Sequence, residues 1–291
     1  MNGEIEILDR LSIVAPLGIR FRDAVTNAVI DDGLSVVAYP SDNPLRRIGA
    51  RTNRKGVYFF RDLPGLREVE NASGDAEFWA SLTGERPFVI EVIDDRGRYQ
   101  PFLLNIDLPV KGLYRWDAEP SGSPPAPEAP VPLFPTSSRQ APAGTAVVRA
   151  ALWDPVADQP AAWALVDAVV DGIVRARGIA DANGQLALMF PYPEPKDPSS
   201  ASPVSSPLTS DRMALVDQTW SLKLQGFYSP VRPVPKIPDL GEVIRQTPGS
   251  LWSALSPPAE LSEQTLEFGR ELIVKSNSES ILWITSESSP S

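Results

Sequence analysis

The sequence predicts an all-β protein: two related β-sandwich domains joined by a proline-rich linker, with few short helices. Three observations predict it. First, a polar turn closed by glycine feeds an apolar strand twice, as TNRKGVYFF over 52–60 and as ADANGQLAL over 180–188. Aligning Gly56 with Gly184 sets Asn53 on Asp181, Tyr58 on Leu186 and Phe60 on Leu188. Upstream, FRDAVT over 21–26 matches LWDPVA over 152–157, with Asp23 on Asp154 and Val25 on Val156. The offsets, 128 and 131 residues, fit one module used twice with small loop differences. Second, 31 prolines and 19 glycines in 291 residues, with aromatic and β-branched residues in short runs, favour many short strands and turns. Third, long helical periodicity is nearly absent.

In chain order, residues 1–18 (GEIEILDRLSIV and its flanks) follow neither period and read as an N-terminal arm or strand. The first sandwich is expected over 19–117. Ile19 and Phe21 alternate with Arg20 and Arg22, which predicts a strand with one apolar face. Asp23 to Gly33 is a turn region, LSVVAY over 34–39 a β-branched strand stopped by Pro40, and Val57 to Phe60 a returning strand. Tyr58 and Phe60, matched by Leu186 and Leu188, define the core-facing parity. Residues 66–86 have room for one short helix. FVIEVI over 88–93 and Tyr99 to Leu108 read as an antiparallel pair turning through DDRG, with Pro101 marking an edge or a bulge.

Residues 118–142 hold eight prolines and predict a semi-rigid spacer of polyproline character. Leu133 and Phe134 are unusual in a passive spacer and are candidate docking residues, either within the chain or on another subunit. The second sandwich is expected over 143–288, with proline- and serine-rich insertions at 191–207 and 229–258. In this half AVVRAAL, Trp163 to Val170, Gly172 to Ala176 and WSLKL read as strands, the last matching FVIEVI. Leu240 to Gln246 and Ser250 to Leu255 have helical potential, and Leu266 to Val274 with Ile281 to Thr285 read as a hairpin across SNSES.

Composition excludes much chemistry. The chain has no cysteine and no histidine, which removes disulfides, thiolate catalysis, Cys- or His-based metal sites and imidazole-dependent triads. A net charge of −10 opposes non-specific nucleic-acid binding. No basic-then-apolar leader and no apolar run of about 20 residues is present, so a soluble protein assembled in the cytoplasm, without direct membrane insertion, is the expectation. The pairs Asp31 and Asp32, and Asp94 and Asp95, read as solvated turn residues, because neighbours on an extended chain point apart. Seven tryptophans suit core packing or a stacking platform for a ligand. Arg46, Arg47, Arg51, Arg54 and Lys55 form a basic run around the first turn. On an acidic chain they are candidates for docking an acidic partner, or for a charge-protected sheet edge.

The pattern D-x-V-T-N from Asp23, G-L-x-V from Gly33, N-x-x-G-x-Y-x-F from Asn53, LPG at 63–65, FVIEV and GRYQPF resembles the carboxypeptidase regulatory-like, or prealbumin-like, Ig-type β-sandwich. The resemblance covers 19–108, and 146–226 more loosely. In that family the sandwich is an accessory module without catalytic residues. GVYFFRDLPG and FVIEVIDDRGRYQPF, followed by a proline-rich segment and ARGIADANGQLAL, are also similar to accessory proteins encoded with phage tail-like contractile injection systems. That resemblance implies a non-catalytic structural subunit, in the baseplate or its periphery, without cofactor or metal, whose partners are other protein subunits. A free glycan- or ligand-binding module using exposed tryptophans is the alternative. An enzyme working with carboxylates, lysine or tyrosine alone is a third.

Overall fold

The computed structural model describes residues 14–72, 74–82, 84–116, 129–195 and 215–286. They divide into two compact units: unit 1 falls within Met1–Arg22, Val29–Asp95 and Phe102–Val131, and unit 2 within Asp23–Ala28, Arg96–Pro101 and Pro132–Ser291. Nearly all regular structure is strand. Of the arm expected over 1–18, residues 1–13 lie outside the described set, as do 117–128 of the linker region and 196–207 of the first insertion.

The first repeat contains β1 (Gly18–Asp23), β2 (Val29–Ile30), β3 (Leu34–Pro40), β4 (Ile48–Gly49), β5 (Arg51–Thr52), β6 (Val57–Phe59), β7 (Arg86–Asp94) and β8 (Phe102–Leu108). One sheet has the order β2-β1-β6-β5 and the other β4-β3-β7-β8. The stretch 48–52 serves both, because Ile48 and Gly49 pair with β3 whereas Arg51 and Thr52 pair with β6. Phe21 from the first sheet meets Phe102 from the second at 6.4 Å between ring centroids and Tyr58 at 5.2 Å, edge-on. Interdigitated aromatics of this kind fill the space between two sheets. Residues 66–86 hold two short helices where one was expected, α1 (Arg67–Glu70) and α2 (Ala76–Ser81). The second is capped by Asp75, whose Oδ1 accepts from the Phe78 amide at 2.7 Å.

The linker region departs from the passive spacer that its prolines predict. Residues Val131–Leu133 form β9, the fifth strand of the first sheet, and all three are buried. The Leu133 carbonyl accepts from Ala24 N at 3.1 Å and the Phe134 carbonyl from Gln100 N at 2.9 Å. Proline cannot donate to a ladder, but it still presents a carbonyl, so a proline-flanked strand can sit at an edge.

Unit 2 carries β10 (Thr145–Asp154), β11 (Gln159–Pro160), β12 (Leu165–Val170), β13 (Ile173–Ile179), β14 (Gln185–Pro191), β15 (Thr219–Phe227), α3 (Leu240–Ile244), β16 (Pro248–Leu255), β17 (Pro258–Glu260), β18 (Gln264–Glu267), β19 (Glu271–Val274) and β20 (Leu282–Thr285). The sheet runs β11-β10-β20-β16-β15-β12-β13, with β14 and β19 also on β10, β17 on β16 and β18 on β15. Its core gathers Val148, Leu152, Val166, Leu188, Trp220 and Ile284.

The repeat is real at the level of register. Ile19 faces Tyr58 across β1 and β6, and Ala150 faces Leu186 across β10 and β14. Arg22 faces Val29 as Trp153 faces Pro160, and Ala38 faces Ile90 as Val170 faces Leu222. Tyr58, Phe60, Leu186 and Leu188 are all buried, as the shared parity predicts. The turns agree too. Asn53 Oδ1 accepts from Lys55 N and Val57 N at 2.9 and 3.1 Å, and Asp181 Oδ1 from Asn183 N and Gln185 N at 2.8 and 2.9 Å. Gly56 and Gly184 close these turns at φ of 69° and 74°.

Two readings of the C-terminal third are corrected. Ser250 to Leu255 is strand, since Ser250, Leu251 and Trp252 pair with Thr285, Ile284 and Trp283. A short segment takes the state its partners offer, and this one lies along the side of β20 away from β10. The expected hairpin across SNSES is absent: β19 and β20 both run parallel to β10, at Val147–Ala150 and Leu152–Trp153. The loop between them is pinched shut by Ser276 N donating to the Ile281 carbonyl at 2.8 Å, so one edge is extended instead of turned back. The expected helix at Leu240 is found as α3, capped by Asp239.

A Cβ at Gly184 would overlap the Leu152 carbonyl oxygen, whereas one at Gly172 meets open space at a similar φ of 76°. Gly172→Ala is expected to cost about 1–2 kcal/mol from the left-handed backbone alone. Gly184→Ala is expected to cost clearly more, read as the shift of the urea midpoint at constant slope.

Candidate functional site

The most organised polar cluster centres on Asp23, the last residue of β1. Its Oδ1 accepts from Val25 N at 2.8 Å, turning the chain immediately after the strand. Tyr99 OH donates to Oδ2 at 3.1 Å, and Arg139 completes a bidentate pair at 3.2 and 2.5 Å. The Tyr99 ring lies between two guanidiniums, Arg98 at 5.0 Å and Arg139 at 4.9 Å from its centroid. Burial pushes the Asp23 carboxyl up. The hydrogen bond from Arg139, the Val25 amide, the Arg139 charge and the Tyr99 hydroxyl outweigh it, so the pKa falls below 3.8. Burial, then the neighbouring Asp23 charge, pushes the Tyr99 phenol up to about 12.

The second repeat rebuilds this arrangement without the arginine. Asp154 ends β10, its Oδ1 accepts from Val156 N and Ala157 N at 2.9 and 3.1 Å, and Tyr228 OH donates to Oδ2 at 3.1 Å. Burial first and the Asp154 charge second raise the Tyr228 pKa as well. Sequence reasoning matched the two aspartates and missed both tyrosines. The available signal was G-x-Y, present as Gly97-Arg98-Tyr99 and Gly226-Phe227-Tyr228. Chemically these are clamps, because donors already engage both oxygens of each carboxylate. Asp167 is held in the same way by Arg177, at 2.7 and 2.8 Å.

The predicted docking residues separate. Leu133 and Phe134 are buried within the chain, so they are not a surface for a partner. Arg47 is committed to Glu91 and lies over the Tyr39 ring at 5.0 Å. Arg51, on β5, and Arg54 and Lys55, in the following turn, are exposed. Arg46 enters a cleft in unit 1 of about 510 Å³, lined by Pro40, Asp42, Asn43, Pro64, Gly65, Arg86, Pro87 and Phe88. A Cβ on Gly65 would overlap Arg86 Nη1, so the missing side chain is what lets that guanidinium lie against the turn. Arg86 lies 40 positions from Arg46 in sequence, and only the pairing of β3 with β7 brings them together.

Of the seven tryptophans, Trp116, Trp163, Trp220, Trp252 and Trp283 are buried, and Trp79 and Trp153 are half-buried. Indole N–H groups of Trp163, Trp220 and Trp252 donate to Pro235 O, Glu194 O and Thr285 Oγ1. Asp31, Asp32 and Asp95 are exposed whereas Asp94 is buried. Among the described residues no group of three or more carboxylates is placed to hold a metal ion, and no helix is long and apolar enough to cross a membrane.

The class defined by this structure is a duplicated all-β, sandwich-like fold. No family model matches the chain, and no curated protein matches it. Among solved structures, the chain is similar over 89% of its length to the Bacillus anthracis TIE protein, at 8% identity and a TM-score of 0.23. The match spans 33% of that protein, about a third of its length.

Two measurements test the clamps. Asp23 has a depressed pKa in the folded state, so its contribution is present above the unfolded carboxylate value and is lost as pH falls through the lower folded value. Asp23→Asn is therefore expected to flatten the loss of stability below about pH 4. The raised Tyr99 phenol acts in the opposite direction, stabilising fully below about pH 10 and less as pH climbs toward about 12. Tyr99→Phe and Tyr228→Phe should each cost about 1–3 kcal/mol at neutral pH, the range for a buried acceptor losing its donor. In a spectrophotometric titration, each should also remove one late-ionising phenol.

Proposed function

We propose that this chain is a non-catalytic structural subunit of a phage tail-like contractile injection system, in the baseplate or its periphery, assembled in the cytoplasm onto other protein subunits. The observation that carries the reading is the apolar edge of unit 2. Strand β13 ends the sheet order, and its first residues Ile173 and Val174 are 54% and 50% exposed. A free strand end with exposed β-branched side chains is a surface that pairing or packing against another subunit would cover. Ile273 on β19, 65% exposed, adds a second such position. The clamps support the same reading, because the buried carboxylates Asp23, Asp154 and Asp167 are engaged in holding turns and strands. The choice of assembly rests on the resemblance of GVYFFRDLPG, FVIEVIDDRGRYQPF and ARGIADANGQLAL to accessory proteins of such systems.

Affinity purification of the tagged chain from its native host, followed by electron microscopy of the eluate, tests this. Co-purification with a large particle is expected. The double variant Ile173→Lys, Val174→Lys, with an unchanged thermal melt, should reduce recovery with the particle at least tenfold. A monodisperse monomer recovered without partners overturns the reading.

A further inference from the structure

The cleft in unit 1 has a chemistry that the scaffold does not use. Its end wall is the turn after β3, where Asn43 N donates to the Pro40 carbonyl at 3.0 Å and Arg46 N to the Asn43 carbonyl at 3.1 Å. Its floor is Phe88, opposite Pro40 in the β3–β7 ladder and 1% exposed. Both flanking guanidiniums are exposed, and neither Arg46 nor Arg86 has an ion pair or side-chain hydrogen bond among the described residues. Arg47, next in sequence, is tied to Glu91. The fold therefore neutralises one arginine of this run and leaves its neighbour open.

We propose that this cleft binds carboxylates and takes an extended acidic segment of a neighbouring subunit, a role that rests on the assembly reading above. Three features of the lining select that occupant. Pro40, Pro64 and Pro87 supply no backbone donors and fix their own φ, so they offer no N–H to compete with Arg46 and Arg86 for an acceptor. Planar guanidinium forks match carboxylate geometry bidentately. Asp42 lies in the same lining, so two arginines and one aspartate leave the site a single net positive charge. That balance suits a monoanionic side chain better than a phosphate dianion. The volume, about 510 Å³, falls in the range of sites that enclose a ligand of several non-hydrogen atoms and exceeds what a lone ion fills. Gly65 sets the geometry, because any side chain there would displace the Arg86 guanidinium.

Fluorescence anisotropy of labelled hexaglutamate against the full-length chain tests the cleft directly, with hexalysine as the charge control and inorganic phosphate as competitor. Arg46→Ala and Arg86→Ala are each expected to weaken hexaglutamate binding about tenfold, the loss of one charge-assisted hydrogen-bonded contact, and the double variant to abolish it. Gly65→Ala should weaken binding with both arginines retained. Arg51→Ala, outside the cleft, should change it less than about twofold. Thermal melts establish that each variant is folded. Binding unchanged in the double variant overturns the proposal, as does an equal loss in Arg51→Ala, which would mean a diffuse basic surface. Phosphate competing at the same concentration as free glutamate overturns it in favour of a small-anion site. Self-association of the wild type that disappears in the double variant would make the occupant a second copy of this chain. The two proposals fail separately: hexaglutamate binding without particle co-purification sinks the assembly reading alone. Particle recovery unaffected in Arg46→Ala, Arg86→Ala sinks the cleft alone.

Discussion

The constraint on which both repeats depend is a carboxylate placed where a strand ends. A buried aspartate is costly unless donors surround it, and at Asp23 and Asp154 the chain supplies them in the same order: turn amides to one oxygen, a tyrosine hydroxyl to the other. The amides can reach the carboxylate only if the chain turns at once. The hydroxyl can reach it only if the chain leaving the later strand, β7 or β15, brings its tyrosine to the right height. One side chain therefore fixes a local turn and a contact 76 or 74 positions away. That is a strong reason for the pairing registers of the two repeats to coincide although the residues in them differ.

Those differences show what the fold requires. Tyr58 and Leu186, or Ile19 and Ala150, occupy equivalent ladder positions with unlike shapes, so apolar volume is exchanged between neighbours within each core. The aspartates, the turn glycines and the clamp tyrosines keep their chemical type in both copies. Arg139 is the departure. Only the first carboxylate receives a guanidinium, and it comes from the segment following β9, whose own carbonyls already accept from Ala24 and Gln100. A proline-rich stretch with few N–H groups is thus fixed through what it can still offer, its carbonyls and one long cationic side chain.

Legibility in the sequence followed the range of the determinants. The Asn53 and Asp181 turns, the alternation at Ile19 and Phe21, and the LSVVAY and FVIEVI strands are set by residues within a few positions of one another, and they were readable as such. Ser250 to Leu255 was not, because its state depends on Trp283 to Thr285, some 30 residues on. The parallel placement of β19 and β20 depends on β10, more than 100 residues earlier, and no periodicity in the segment encodes it. The same division holds at the cleft. Arg46 is visible as part of a basic run, whereas Arg86 enters only through strand pairing, and Leu133 and Phe134 stand out as apolar residues in a proline-rich stretch although nothing local names the strand that buries them.

Charge in this chain falls into two classes with different consequences. The buried carboxylates Asp23, Asp154 and Asp167 are matched by specific donors, and truncating one partner would leave the other stranded at a cost of several kcal/mol, so these groups are committed to holding the fold. Exposed pairs such as Arg270 with Glu267, three residues apart, add little to stability and are free to vary. Arg46 and Arg86 belong to neither class: they are exposed, they line one proline-walled cleft, and Asp42 offsets only part of their charge. On a chain of net charge −10, acidic side chains are plentiful, and an internal partner for these two guanidiniums would have been easy to supply. A fold that provides donors so consistently where carboxylates are buried, yet leaves two guanidiniums open beside a glycine that makes room for one of them, has a cleft shaped for something outside its own core.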